Sequence, residues 1–256
     1  KCHLPYMLID SHCHLNYLDD PYGAFLAAKQ RGIDQVLCIG VEQATIHEVL
    51  DLARLHQGIW ATVGEHPDSV SADGQPPDWV EQYLSHEGVV AVGETGLDYL
   101  HAVDPSLMAK QRDTFAAHLS IAQSHRLPVV VHTRNACADT IDLIKAHTGV
   151  EGVLHCFTES WAMAKQALDL GFYISISGIV TFKNADNVRE VAQRIPADRL
   201  LVETDAPWLT PVPNRGKTNE PAFVRDTAEF VATLRGVSFE EFAATTTANC
   251  KRLFSI

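Results

Sequence analysis

Val89-Val90-Ala91-Val92-Gly93-Glu94-Thr95-Gly96 places four apolar residues in a row and then a carboxylate between two glycines. An unbroken apolar run does not fit the alternation of a sheet with one wet face. It fits a parallel strand covered on both sides. The pattern recurs at Val129-Val130-Val131-His132, Val153-Leu154-His155 and Leu201-Val202-Glu203-Thr204-Asp205. Each run ends in a side chain able to hold a metal ion.

Outward from these, strand-like runs cover Met7–His14, Gln35–Val41, Ile59–Glu65, Val89–Glu94, Pro128–Thr133, Gly152–Phe157, Tyr173–Ile179 and Leu200–Thr204. Between them lie segments with helical core spacing, such as Ile46, Val49, Leu50 and Ala53, or Met108, Phe115, Leu119 and Ala122. Parallel strands need long crossovers, and these helices supply them. Eight βα units predict an α/β fold, a single (β/α)8 TIM barrel. Two helices are expected after the eighth strand. One is Glu220–Arg235, with an apolar stripe of Phe223, Thr227, Phe230/Val231 and Leu234; the other is Phe239–Phe254, an extra C-terminal helix covering the barrel wall.

The length of 256 residues would allow two small domains but suits one barrel of about 250. No Pro/Gly-rich linker or low-complexity segment marks a boundary, so residues 1–256 are read as one domain. Met7 reads as a natural start, and Lys1 to Tyr6 are expected to be an expression remnant or disordered. No apolar run approaches a membrane span, and the six cysteines lack Cys-x-x-Cys spacing. The expectation is a cytoplasmic protein without membrane contact, monomeric, with its thiols unpaired. The formal charge of −12 opposes a polyanionic partner, so any such partner must be bound by local features.

In a barrel, residues at the C-terminal ends of the strands converge on one mouth. His12 and His14, two apart on an extended run, face the same side. Alone this pair is a weak signal, but Glu94, His132, His155 and Asp205 end four other strands. Six such groups would be costly to bury separately. Together they supply ligands for two divalent cations, with Zn, Mg, Mn, Co and Ni all compatible, and Glu94 is the natural bridge. His66, after the third strand in Gly64-Glu65-His66-Pro67, is read as a substrate contact. His47, His56, His86, His118, His125 and His147 fall in helical segments and are read as surface or capping residues, with His3 and His101 in loops.

These residues together resemble the TatD family of metal-dependent hydrolases. The motifs are Asp10-Ser11-His12-Cys13-His14, Gly64-Glu65-His66-Pro67, Gly93-Glu94-Thr95-Gly96-Leu97-Asp98-Tyr99, Pro128-Val129-Val130-Val131-His132-Thr133-Arg134, His155-Cys156-Phe157, Glu203-Thr204-Asp205-Ala206-Pro207 and Arg215-Gly216-Lys217-Thr218-Asn219-Glu220-Pro221. The resemblance implies that His12, His14, Glu94 and Asp205 bind one metal, and Glu94, His132 and His155 a second. It implies a metal-dependent deoxyribonuclease acting from the 3′ end of single-stranded DNA. The chain departs from the family pattern at Glu159, where a glycine is frequent, and at Leu100, where an aromatic residue is frequent. An added carboxylate there would repel a phosphate.

Asp205 and Glu94 are the catalytic candidates, Asp205 as general base and ligand together. Arg134, Arg215 and Lys217 are candidate phosphate contacts after strands five and eight. Tyr99, Phe182 and Trp208 could stack bases or simply pack. The rival readings are hydrolysis of a small ester, amide or lactone on the same metals, and a metal-stabilised binding protein without catalysis.

Overall fold

The computed structural model describes residues 7–71 and 76–256; the expectations for residues 1–6, including Cys2 and His3, lie outside the described residues. Strands and helices alternate: β1 (Leu8–Cys13), α1 (Pro21–Gln30), β2 (Ile33–Ile39), α2 (Ile46–Leu55), β3 (Ile59–Val63), α3 (Trp79–Tyr83), β4 (Val89–Asp98) and α4 (Pro105–His125). Then follow β5 (Val129–Arg134), α5 (Cys137–Ala146), β6 (Gly152–Leu154), α6 (Trp161–Asp169), β7 (Tyr173–Ile176), α7 (Asp186–Arg194), β8 (Leu200–Val202), α8 (Val224–Arg235) and α9 (Phe239–Phe254). All eight strands pair in parallel in the order β1 to β8, which is the TIM barrel the apolar runs predict.

Every strand read from the sequence is present, with ends shifted by a few residues. The largest difference is β4, which continues past Glu94 to Asp98 because Thr95 to Asp98 keep pairing with Val131 to Arg134. Gly96 makes this approach feasible. Its φ is +138°, and a Cβ there would fall on the carbonyl oxygen of His132, its cross-strand partner. The barrel closes at the mouth through backbone bonds from His14 N–H to the Ala206 carbonyl, 2.8 Å, and from Asp205 N–H to the His12 carbonyl, 2.9 Å. The two chain segments that close the ring therefore both carry candidate ligands.

The interior has an apolar floor and a polar upper layer. Val130, Val153, Tyr173 and Leu201 lie together in one buried cluster. Two residues on, in strand periodicity, stand His132, His155, Ser175 and Glu203. Helix α9 differs from its expected place on the wall. Its Cys250, Leu253 and Phe254 join the floor cluster, and its Asn249 donates to the Ala197 and Leu200 carbonyls at the start of β8. It seals the N-terminal end of the barrel, forcing ligand entry from the opposite mouth. On α8 the buried residues are Val224, Thr227, Ala228, Val231 and Ala232, which keep Thr227 and Val231 of the expected stripe, while Phe223 just before the helix and Phe230 and Leu234 on it are partly buried beside them.

Among the described residues, no helix is long and apolar enough to cross a membrane, and Cys13, Cys38, Cys137, Cys156 and Cys250 are free. His118 departs from its expected surface role and is fully buried. Its Nδ1 donates to the Thr114 carbonyl at 2.8 Å, and its Nε2 accepts the Glu65 N–H at 3.0 Å, next to His66. Burial pushes the His118 pKa from the usual 6.5 down to about 4. The folded state thus keeps His118 neutral where the unfolded chain takes up a proton. The contribution of His118 to stability is full above pH 6.5 and falls, by about 3 kcal/mol, as pH drops towards 4. In urea unfolding at a series of pH values, His118→Gln should flatten the pH dependence in this window; an unchanged slope would refute this role.

Candidate metal centre

Asp205 and Cys156 adopt left-handed backbone, with φ of +60° and +43°, at the ends of β8 and β6. Such conformations cost energy in non-glycine residues and gather at functional sites. Around them the structure brings six predicted residues together. His12 Nε2 lies 3.2 Å from His14 Nε2, 3.3 Å from Glu94 Oε2 and 3.5 Å from Asp205 Oδ1. His14 Nε2 lies 3.8 Å from Glu94 Oε2 and 3.4 Å from Asp205 Oδ1. A tetrahedral ion with bonds of about 2.0–2.2 Å holds its ligand atoms about 3.3–3.6 Å apart. This donor set therefore fits one cation.

The other oxygen of Glu94 serves a second group. Oε1 is 2.7 Å from His155 Nε2, 3.3 Å from His132 Nδ1 and 3.3 Å from His66 Nε2. Despite the 2.7 Å separation, His155 Nε2 is buried without a hydrogen-bond partner. A buried imidazole nitrogen left without a hydrogen-bond partner next to a carboxylate is a candidate metal donor.

The outer ring nitrogens decide which imidazoles can ligate. His14 Nδ1 donates to the Ile39 carbonyl, His132 Nε2 to Asp98 Oδ2 at 3.0 Å, and His155 Nδ1 to Glu203 Oε1 at 3.2 Å. Each leaves a lone pair facing the centre. His66 is the reverse: its Nδ1 accepts the Asp68 N–H, so its neutral ring carries hydrogen on Nε2. That nitrogen faces the cluster as a hydrogen-bond donor.

Electrostatics keep the carboxylates charged. Burial alone would raise Glu94, but His155, His66 and His12 hold it well below the ordinary range. Asp205 is likewise lowered, its burial outweighed by the His14 hydrogen bond and the neighbouring imidazoles. Asp98 is drawn down to about 2, the His132 hydrogen bond and charge outweighing burial. Burial opposes protonation of His14, His132 and His155, yet their carboxylate partners raise all three.

The cavity above the cluster encloses about 730 Å³ and is lined by His14, His66, Glu94, His132, His155 and Asp205, with Arg134, Tyr17 and Trp208 at its sides. Arg215 lies elsewhere. Its guanidinium donates to the Thr210 carbonyl and stacks 4.2 Å from the Phe182 ring, in an adjoining hollow that shares Thr158 and Ile179 with the main cavity. Lys217 is exposed and lines neither. Tyr99 turns away to Asp139 and Arg112. Glu159 does not meet the cavity: its oxygens accept the Asn135 N–H and the Cys137 thiol.

The sequence profile of the family described as TatD related DNase matches residues 9–255. The chain belongs to the TatD family. An uncharacterized metal-dependent hydrolase of Escherichia coli K12, YcfH, is 44% identical, over 97% of this chain and 96% of that protein. A protein of Erwinia tasmaniensis named 3′-5′ ssDNA/RNA exonuclease TatD is 36% identical, over 90% of this chain and 91% of that protein. The crystal structure of the Escherichia coli TatD homologue YjjV superposes with a TM-score of 0.88 at 27% identity, covering 97% of this chain and 98% of that one. This TatD protein is a metal-dependent hydrolase, and the clustered imidazoles and carboxylates are its candidate metal donors.

Neither Asp98 nor Glu203 has a role in the sequence reading. Glu203 stands two residues before Asp205 and two after the inward-facing Leu201, so strand parity was the signal. Asp98 had no such signal, because it depends on β4 extending beyond Glu94. In this TatD chain a cation must displace protons that His14, His132 and His155 hold above the usual 6.5. Zinc affinity by calorimetry should therefore weaken by roughly tenfold or more from pH 8 to pH 6. A pH-independent affinity would contradict the assigned donors.

Proposed function

We propose that the protein is a 3′-5′ exonuclease on single-stranded DNA working through two divalent cations, its barrel acting as one domain. The observation that carries this reading is the division of Glu94, with Oε2 facing His12 and His14 and Oε1 facing His132 and His155. The polarity and substrate are those in the name of the Erwinia relative.

When bound, the cations would supply Lewis acidity towards a phosphodiester and an attacking water. His12, His14, Glu94 and Asp205 would hold one, and Glu94, His132 and His155 the other. Asp98 and Glu203 fix the ring orientation of His132 and His155. Asp205, kept ionised, takes the proton of the attacking water as the new P–O bond forms. The P–O3′ bond breaks, and the released 3′ oxygen takes up a proton from solvent. His66 Nε2–H and the exposed Arg134 guanidinium donate to non-bridging phosphate oxygens.

The second reading is a small ester, amide or lactone substrate. It is favoured by the charge of −12 and by Arg134 being the sole lysine or arginine lining the metal cavity among the described residues. Metal-loaded protein incubated with end-labelled single-stranded DNA and with a panel of small esters separates the two. Mononucleotide release from the 3′ end is expected, Asp205→Asn should lower kcat by about 100-fold or more, and Arg134→Ala should raise KM by about tenfold with a smaller change in kcat. Ester hydrolysis without nucleotide release would overturn the nuclease reading.

A further inference from the structure

Trp208 stands three residues beyond the ligand candidate Asp205 and is 50% exposed, although its backbone is tightly held. Its N–H donates to the Asp205 carbonyl at 3.0 Å, and its own carbonyl accepts a side-chain N–H of Asn219. Asn219 is fully buried; it also donates to the Thr204 carbonyl, and its backbone N–H reaches the Pro207 carbonyl. A large apolar ring is thus kept open to water on a rigid support. Tyr17, 39% exposed, stands beside it with ring centroids 5.9 Å apart and planes at 63°.

Both rings rest on a candidate metal ligand. The His14 ring centroid is 5.2 Å from that of Trp208 and 5.9 Å from that of Tyr17. The three rings form a corner at one side of the cavity, with His14 as its floor. Rigid aromatic rings exposed at a cavity lose little conformational freedom on binding and offer a flat contact surface. A ring stacked on the outer face of Trp208 would lie next to the point where a scissile phosphate meets Asp205.

We infer that Trp208 and Tyr17 form a nucleobase-stacking subsite beside the metal centre, Trp208 supplying the face and Tyr17 the side wall. The inference rests on the nuclease reading and deepens it. Stacking tolerates every base, because each presents a π face, so the subsite would place the strand end without selecting sequence. It also answers the acidic charge of the chain: an uncharged contact holds the substrate where few cations do. Asn219 acts through Trp208 and is a positioning residue.

The test uses the full-length, metal-loaded protein and three labelled ten-nucleotide DNA strands: intact, abasic at the 3′-terminal nucleotide, and abasic at the penultimate one. Wild type should prefer the intact strand over at least one abasic strand by roughly 5- to 150-fold in kcat/KM. Trp208→Ala should raise KM for the intact strand and reduce that preference to near unity. Trp208→Phe should retain most of it. Deoxynucleoside monophosphate should also quench tryptophan fluorescence in wild type and not in Trp208→Phe, a readout that stands even if Trp208→Ala does not fold. Nucleotide release at equal kcat/KM from all three strands, or full preference persisting in Trp208→Ala, overturns the subsite and leaves the nuclease reading intact. Ester hydrolysis with neither nucleotide release nor quenching overturns both.

Discussion

A buried carboxylate surrounded by imidazoles is the constraint on which this structure turns. Glu94 is 2% exposed, and four histidine nitrogens lie within 3.3 Å of its two oxygens. An ionised group so far from water is tolerated only with charged or hydrogen-bonding partners on every side. The fold provides them by bringing five strand ends to one mouth. Cations seated between the donors would compensate the carboxylates more completely than shared protons do, so stability and catalysis make the same demand of the site.

The path from sequence to site runs through strand parity. The apolar floor places Val130, Val153 and Leu201 inward, and the next inward position on each strand is His132, His155 and Glu203. With α9 closing the N-terminal end, the polar layer has access to solvent only upward. Gly96 permits β5 to approach β4, and the bonds between the His12–His14 and Asp205–Ala206 backbones bring the first and last candidate ligand segments into contact. The barrel's closure and the candidate metal donors are thus one arrangement.

Much of this was legible in the chain, because apolar runs and their terminal residues obey local rules. The eight strands and the convergence of His12, His14, Glu94, His132, His155 and Asp205 follow from period and position. What required coordinates depends on contacts between distant segments. His118 looks like a helix-surface residue until its Nε2 is seen accepting the Glu65 N–H. Arg215 reads as a phosphate contact until Phe182 and the Thr210 carbonyl are seen to hold it in the neighbouring hollow. Glu159 reads as a repulsive charge, yet it is occupied in tying Asn135 and Cys137. The donor orientation of His66 Nε2 follows from the Asp68 N–H on its Nδ1, which no sequence pattern encodes.

In the proposed mechanism one carboxylate, Glu94, joins two cation sites. Metal content after equilibrium dialysis against zinc, measured by elemental analysis on wild type and Glu94→Gln with circular dichroism confirming the fold, tests it directly. Two tightly held ions per wild-type chain, falling to one or none in the folded variant, is the expected result. A single ion in wild type, or two retained in Glu94→Gln, would contradict it.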